Sequence, residues 1–204
     1  VPVITHTIHG QAFHPHLSWW QYKLFLALER HCSRCCGRII CVCDAMTDQA
    51  VEAGVALREK FVTIYSGMEV ERFLDDDSDR EKFRARLGFG PQHIVVGTVA
   101  RLAELKGHQD VIEAAGRIRD EFPNLVLLFV GDGALRGQLE DQAQRVGLSD
   151  RVFITGMVDW REVPGYVQAM DVLVHPSLRE GLARALPQAL LCGVPAISYD
   201  VDGA

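Results

Sequence analysis

Between Ile94 and Tyr199 the chain repeats one pattern, in which a short apolar run is followed by a segment with helical periodicity. The apolar runs lie at 94–100, 125–130, 152–155 and 172–175, and their near-continuous apolar character is typical of strands buried on both faces. Strands that alternate with helices form a parallel sheet. The sequence therefore predicts an α/β fold, in which ligand-binding groups lie in the loops that follow the carboxyl ends of the strands.

The first part of the chain has a similar texture, with predicted strands at 3–8, 39–43 and 61–65 and a long helix at 18–36. An acidic run at 75–79 follows, and such runs are typical of a solvated linker. We therefore place a boundary near residue 76, between domains at 1–75 and 76–204.

Charge and composition exclude several classes of protein. Residues 1–75 carry 7 basic and 8 acidic side chains, and residues 76–204 carry 14 and 19, so a nucleic-acid partner is not expected. No signal peptide and no apolar run of about 18 residues is present, which predicts a cytoplasmic protein. The first residue is not Met and the chain stops soon after a strand, so we expect a fragment of a longer protein.

Five of the six cysteines lie between residues 32 and 43. One interpretation is a zinc site with Cys32/Cys35 and Cys41/Cys43 as ligand pairs. The favoured interpretation is structural, with the first three cysteines ending a helix and Cys41 and Cys43 facing one way in a buried strand. The histidines at 6, 9, 14 and 16 have no carboxylate or cysteine near them in sequence, so no metal is expected there either.

The predicted helix at 18–36 carries apolar residues at mixed helical spacings: Trp19, Tyr22, Phe25, Leu26 and Leu28. Its aromatic residues suit a peripheral membrane contact. Because the segment is not strongly basic, packing against the sheet is the favoured interpretation.

The segment 172–195 forms a predicted strand, loop and helix, with Glu180 in the loop. A carboxylate there can accept two hydrogen bonds from a vicinal diol of a sugar, and the helix start suits a phosphate. Arg101 and Lys106 occupy another strand-to-helix loop, where two cations can hold a diphosphate, although solvated surface charges are the alternative. We expect Arg101, Lys106 and Glu180 to converge on one cleft and to bind a nucleotide-sugar.

Gly131-Asp132-Gly133 follows a predicted strand but does not predict a dinucleotide site. That site needs an acidic residue at the end of the next strand, and Thr155-Gly156 stands there instead. The glycines still allow backbone to approach a ligand closely. His9 also stands at a strand end, where the residue type alone favours a structural role over catalysis.

Pro176-Ser177, Glu180-Gly181, Ala189 and Gly193-Val194-Pro195 resemble the E-x7-E region of the GT-B glycosyltransferases of family 4, also called group 1. The resemblance implies two Rossmann-like parallel-sheet domains, the first only partly present, and missing closing helices. It also implies sugar transfer from a nucleotide-diphosphate donor to a hydroxyl of a sugar or lipid-linked acceptor, in polysaccharide or glycoconjugate synthesis. Retention of configuration, no metal or other cofactor, and a place in the cytoplasm or at the inner face of the membrane are further expectations.

The resemblance implies a role for each matching residue. His9 faces the transferred sugar, Glu180 orients the hydroxyls of the donor sugar, and both are expected to be catalytic. The expected donor-binding set is Arg101, Lys106, Gly131, Gly133, Thr155, Gly156, Glu180, Gly181 and Gln188. Gln188 departs from the family, in which a second Glu accepts hydrogen bonds from the ribose.

Two other functions stay open at this point. The chain can be a nucleotide-sugar-binding module without activity, or an inactive fragment. It can also be a nucleotide-sugar epimerase of the same architecture, for which His9 and Glu180 are the acid/base candidates.

Overall fold

A computed structural model describes residues 3–74 and 78–204. The chain forms two compact units. Unit 1 comprises Val1–Met68, Glu180–Ala183 and Val201–Ala204, and unit 2 comprises Glu69–Arg179 and Arg184–Asp200. The boundary predicted near residue 76 lies outside the described residues.

Unit 1 contains a three-stranded parallel sheet in the order β1-β2-β3. Its elements are β1 (Thr5–Ile8), α1 (Trp19–Cys35), β2 (Arg38–Cys41), α2 (Asp44–Glu52), a 3-10 turn (Arg58–Lys60) and β3 (Phe61–Thr63). The apolar residues Ile39 of β2 and Met46 of α2 are fully buried between the sheet and the helices.

The cysteines of unit 1 are all free thiols in the structure. Both Cys41 and Cys43 are buried, but β2 ends at Cys41 and Cys43 occupies the N-cap position of α2, so the prediction that one strand contains both was wrong. Across residues 3–74 and 78–204, no three side chains of His, Cys, Asp or Glu come together as a group able to hold a metal ion.

Helix α1 buries only one side. Leu26 is buried and Tyr22 and Phe25 pack against the core, as a sheet-packed helix requires. Trp19, which was expected to pack, is 77% exposed, and Leu28 is also exposed. Packing against the sheet, which was the favoured interpretation of this helix, therefore holds for the three packed residues and not for Trp19 and Leu28. None of the helices in the described part of the chain is both long and apolar enough to cross a bilayer.

Unit 2 contains a five-stranded, wholly parallel sheet in the order β6-β5-β4-β7-β8. This confirms the predicted parallel α/β class. The elements are α3 (Glu71–Leu74), α4 (Ser78–Leu87), β4 (Ile94–Val99), α5 (His108–Ile118), β5 (Leu125–Val130), α6 (Arg136–Arg145), β6 (Val152–Ile154), α7 (Val163–Gln168), β7 (Val172–His175), α8 (Ala185–Leu191) and β8 (Ala196–Ser198).

Strand β5 shows why these runs are apolar throughout. All six of its residues are buried, and they alternate between two cores on opposite faces of the sheet. Leu127 and Phe129 pack with α5 and α6, whereas Val126 and Leu128 pack in the cluster that contains Tyr166 of α7. The chain runs outward from β4 to β6 and then returns to place β7 on the other side of β4, which makes the β4–β7 boundary a topological switch point.

A buried guanidinium joins α4 to the sheet. Arg84 is 7% exposed and donates to the carbonyl oxygens of Ala169, Gly90 and His93 and to the carboxylate of Asp171. Burial by itself raises the pKa of Asp171, but the backbone N–H of Val95 and the neighbouring guanidinium groups outweigh it and lower the pKa. This network ties the first helix beyond residue 77 to the start of β7.

The spacing of Asp159 and Glu162 predicts a capping pair for a short helix at 161–169, but this pair is not formed. The Asp159 carboxylate accepts from the backbone N–H of Arg161 at 2.9 Å, in the turn that precedes α7. The helix begins at Val163, and Glu162 makes no side-chain capping bond. Pro164 in the first turn sets the start of the helix instead, because proline there forfeits no intrahelical bond.

Candidate active site

The loops that follow β4 and β5 are in direct backbone contact. A Cβ on Gly131 would lie 2.2 Å from the carbonyl oxygen of Ala100, and a Cβ on Gly133 would lie 2.2 Å from that of Leu102. Leu102 N–H also donates to the carbonyl oxygen of Asp132 at 2.9 Å. Only glycine fits at positions 131 and 133, because any side chain would collide with rigid backbone.

The end of β6 joins the same edge of the sheet. Gly131 and Gly156 form an isolated antiparallel bridge, and Gly131 N–H donates to the Thr155 hydroxyl oxygen at 3.3 Å. The Thr155 hydroxyl donates in turn to the carbonyl oxygen of Gly156 at 2.8 Å. The structure thus brings together five predicted residues of unit 2: Arg101, Gly131, Gly133, Thr155 and Gly156.

The loop between β4 and α5 carries the two predicted cations. The Arg101 side chain is exposed and Lys106 is half-buried. Between them, Leu105 adopts a left-handed conformation with φ of 65°, which is unusual for a residue with a branched side chain. Two donors hold its carbonyl oxygen, namely the Ser177 hydroxyl at 3.1 Å and the Leu178 N–H at 2.8 Å.

Gly107 completes this contact between the loops after β4 and β7. Its φ is 71°, and a Cβ there would lie 2.0 Å from the carbonyl oxygen of Pro176. Gly107 is also the N-cap of the 11-residue helix α5. Lys106 therefore stands at the positive end of a helix dipole, in a loop whose backbone is held from two sides, which is an arrangement suited to an anion.

His108 lies directly beneath this loop. It is 0% exposed, and its ring meets the edge of Phe129 with centroids 5.0 Å apart. Burial lowers its pKa to about 4, and the neighbouring His175 and Lys106 contribute in the same direction. Within the described residues neither ring nitrogen has a hydrogen-bond partner, so the imidazole is neutral at physiological pH.

His9, Glu180 and Gly181 belong to unit 1. His9 follows β1 and is exposed, and a Cβ on Gly181 would lie 2.0 Å from the His9 carbonyl oxygen. Glu180 is half-buried, and its backbone N–H donates to Oδ2 of Asp202 at 3.0 Å. The segments that carry the two predicted catalytic residues are therefore in backbone contact, through Gly181 and the carbonyl oxygen of His9, at the end of β1.

Gln188 lies inside α8 of unit 2 and is half-buried. Its backbone N–H donates to the carbonyl oxygen of Arg184, and its own carbonyl oxygen accepts from Cys192 N–H, both at 3.2 Å. Glu180 groups by contact with unit 1, so the two ends of the region that resembles E-x7-E belong to different units.

Two residues at these sites have no counterpart among the predicted ones. Leu105 shapes the cation loop through its backbone, and Asp202 holds the backbone of Glu180. Neither residue belongs to a recognisable sequence motif. Only the structure identifies them, because each is a non-glycine residue with positive φ. Ser177 belongs to the segment that resembles the E-x7-E region, but no role was predicted for it.

The parallel α/β sheets of the two units and the similarity to solved glycosyltransferase structures confirm the predicted GT-B fold class. Family models place the chain within this class. The model described as "Glycosyl transferases group 1" matches residues 79–204, and that described as "Glycosyltransferase Family 4" matches residues 1–72. The chain belongs to the group 1 glycosyltransferase family.

Individual relatives agree with this assignment. A 2-deoxystreptamine glucosyltransferase of Streptomyces kanamyceticus is 31% identical over 90% of this chain and 48% of its own length. An Escherichia coli galactosyltransferase named for a GlcNAc-diphosphoundecaprenol acceptor is 29% identical over 100% of this chain and 53% of its own. The crystal structure of Anabaena Alr3699/HepE with UDP-glucose superposes with a TM-score of 0.86 at 26% identity, covering 98% of this chain and 54% of that one. The chain thus spans about half the length of these relatives.

Proposed function

We propose that the protein transfers a sugar from a nucleotide-diphosphate donor to an acceptor hydroxyl in polysaccharide or glycoconjugate synthesis. The observation that carries this proposal is the edge of the unit 2 sheet, where Lys106 stands at the start of α5 beside the close backbone approach of Gly131 and Gly133. A relative named as a glucosyltransferase and a similar structure with bound UDP-glucose support it.

In this proposal, Arg101 and Lys106 bind the diphosphate of the donor and offset the charge that develops as it leaves. The free N–H groups at the start of α5 add to this stabilisation. Gly156 allows the nucleotide to approach the backbone, because it carries no side chain that would exclude it, and Gly131 brings the loops after β4 and β5 together beside it. Gln188 is proposed to accept a hydrogen bond from the ribose.

Glu180 is proposed to accept hydrogen bonds from hydroxyls of the donor sugar, and His9 to contact the sugar near the reacting carbon.

We further propose that the reaction retains the anomeric configuration of the sugar. Proton NMR of the product tests this, because the coupling constant of the anomeric proton reports its configuration. No metal ion or other cofactor is proposed, because the two cations and the helix start can neutralise the leaving group. Loss of activity in EDTA, restored by a divalent cation, would contradict that part.

The acceptor is proposed to be a sugar or a lipid-linked sugar. The diphosphoundecaprenol acceptor in the name of the Escherichia coli relative supports a lipid-linked one, presented at the inner face of the membrane. The exposed side of α1 fits such a surface, because Trp20, Leu24 and Leu28 share one stripe of the helix and all are exposed. Lys23 on the same side suits anionic lipid.

Co-sedimentation with phosphatidylglycerol vesicles tests this contact. Trp20→Ser combined with Leu24→Ser is expected to abolish binding, whereas Leu57→Ser, at an exposed apolar residue outside α1, is expected to leave it unchanged. Equal binding by the unchanged protein, the double variant and Leu57→Ser would contradict a contact through α1.

A titration with UDP-, GDP- and ADP-sugars tests the function itself. A transferase releases the nucleoside diphosphate when an acceptor is supplied, a binding module only raises the melting temperature, and an epimerase changes the sugar without releasing it.

Arg101→Met is expected to weaken donor binding by about tenfold through loss of a charge-assisted contact. Arg117→Met, which removes an exposed cation of α5, is the matched control. Equal donor affinity for both variants would refute the assignment.

A further inference from the structure

The turn formed by residues 201–204 holds an aspartate in a conformation that favours glycine. Asp202 has φ of 44°, and Ala204 N–H closes the turn on the carbonyl oxygen of Val201 at 2.9 Å. Non-glycine residues with positive φ are uncommon, and they persist where the surrounding contacts determine them. The contacts of its side chain show what determines this one.

Both carboxylate oxygens of Asp202 are engaged. Oδ2 accepts from the backbone N–H of Glu180 at 3.0 Å, and Oδ1 accepts from the side-chain amide of Gln49 at 2.6 Å. Gln49 lies on α2, a helix whose residues Met46 and Ala50 are fully buried. The carboxylate therefore links the backbone of Glu180 to a rigid element of unit 1.

The neighbouring glycine holds the other side of the same segment. The carbonyl oxygen of Gly203 accepts from Ala183 N–H at 3.1 Å, and a Cβ on Gly203 would lie 2.0 Å from the carbonyl oxygen of Gly181. Gly181 in turn lies against the carbonyl oxygen of His9. The turn thus contacts the segment 180–183 on both sides of Gly181.

We propose that Asp202 is a positioning residue, which fixes Glu180 so that its carboxylate meets the hydroxyls of the donor sugar. This inference rests on the proposed function, because Glu180 needs a defined orientation only if it binds a ligand. Glycine adopts positive φ without strain, and aspartate tolerates it better than most residues, so either can form this turn. Aspartate at this position provides a bond to Glu180 that glycine cannot make.

The substitution Asp202→Gly separates positioning from stability. Glycine suits the backbone conformation, which offsets part of the cost of losing the two hydrogen bonds of the carboxylate, so the melting temperature is expected to fall by only a few degrees. The loss of the charge-assisted bond is expected to lower kcat/KM for the donor by about tenfold, with KM for the acceptor unchanged. Asp202→Asn keeps an acceptor oxygen for the Glu180 N–H and is expected to restore most of the activity.

The donor in these assays is whichever UDP-, GDP- or ADP-sugar the unchanged protein turns over. Two further variants complete the experiment. Gln49→Leu removes the anchor of the carboxylate and is expected to have a smaller effect that does not add to that of Asp202→Gly. Asp200→Gly, an exposed aspartate two residues away, is expected to behave as the unchanged protein.

Donor kinetics of Asp202→Gly equal to those of the unchanged protein would overturn the inference. So would a loss of activity that follows a lowered melting temperature and is not restored by Asn. The proposed function is judged separately by Arg101→Met and Glu180→Gln. If those two variants also keep full donor turnover, the function is wrong, whereas if only Asp202→Gly keeps it, the positioning role is wrong.

Discussion

Replacement of the buried His108 by leucine should remove a large part of the acid sensitivity of this protein. The imidazole is fully buried beneath the loop that carries Lys106, and its pKa is lowered to about 4 by burial and then by His175 and Lys106. In the unfolded chain, the same side chain has the ordinary pKa of 6.5. Because the folded protein holds His108 neutral, protons bind preferentially to the unfolded state below that pH.

The sign and size of the effect follow from these two values. The contribution of neutral His108 to the free energy of unfolding is fully present above pH 6.5 and is lost as the pH falls toward 4. The unfolded chain gains a proton in this range that the folded protein excludes. Each pH unit in this range contributes 1.36 kcal/mol for one proton, so the difference between the two pKa values corresponds to about 3 kcal/mol. Leucine cannot titrate, and it fills a similar volume against Phe129.

Urea unfolding followed by circular dichroism between pH 7.5 and pH 4.5 measures the effect. We expect the free energy of unfolding of the unchanged protein to fall by about 2–3 kcal/mol more than that of His108→Leu over this range. His31→Leu, at an exposed position of α1, is the control for the loss of an exposed imidazole. Parallel curves for the unchanged protein and His108→Leu would refute the reasoning, because the buried imidazole would then not be the group that titrates.

Three other substitutions test separate parts of the structure. Arg84→Met should lower the free energy of unfolding by about 3 kcal/mol in urea, since three carbonyl oxygens and a carboxylate lose their buried donor; an unchanged midpoint would show that water replaces the guanidinium. Gln188→Glu should tighten donor binding by about 1–2 kcal/mol by calorimetry, because a carboxylate accepts more strongly from the ribose than an amide, and an unchanged dissociation constant would defeat the idea. Gly107→Ala should cost about 2 kcal/mol more in unfolding experiments than Gly88→Ala. Both glycines have positive φ, but only the first would place its Cβ against the backbone of Pro176, so equal losses would leave strain in φ as the sole cause.

The repeating strands of unit 2 could be predicted because their signal is local and strong. The run at 125–130 is apolar at every position, and the structure places a fully buried strand at those residues, Leu125–Val130. Arg101 and Lys106 were expected in a loop between a strand and a helix, and they lie between β4 and α5. Such placements follow from the alternation of elements and do not depend on which distant segments meet.

The side of α1 that faces the core could not be predicted as well. Apolar residues surround much of this helix, so periodicity alone does not distinguish Tyr22, which packs, from Trp19, which is exposed. The side that is buried is set by the contacts of the helix with the core of unit 1 and not by the helix itself. A hydrophobic pattern predicts how much surface a helix can bury, whereas tertiary contacts determine which part of that surface is buried.

The contacts that shape the candidate site are harder still to predict, because they join segments far apart in the chain. Gly181 and Gly203 are needed because backbone carbonyl oxygens lie where their side chains would be, and nothing in their neighbouring residues indicates this. Leu105 adopts positive φ although its residue type disfavours it, and Asp202 does so although positive φ is uncommon for any residue except glycine, so residue preference does not predict either conformation. In both cases the strained residue is held by hydrogen bonds to a segment that carries proposed donor-binding groups or leads to them. Strain of this kind is therefore informative about the site because local preference opposes it, and only contacts made by the folded chain can sustain it.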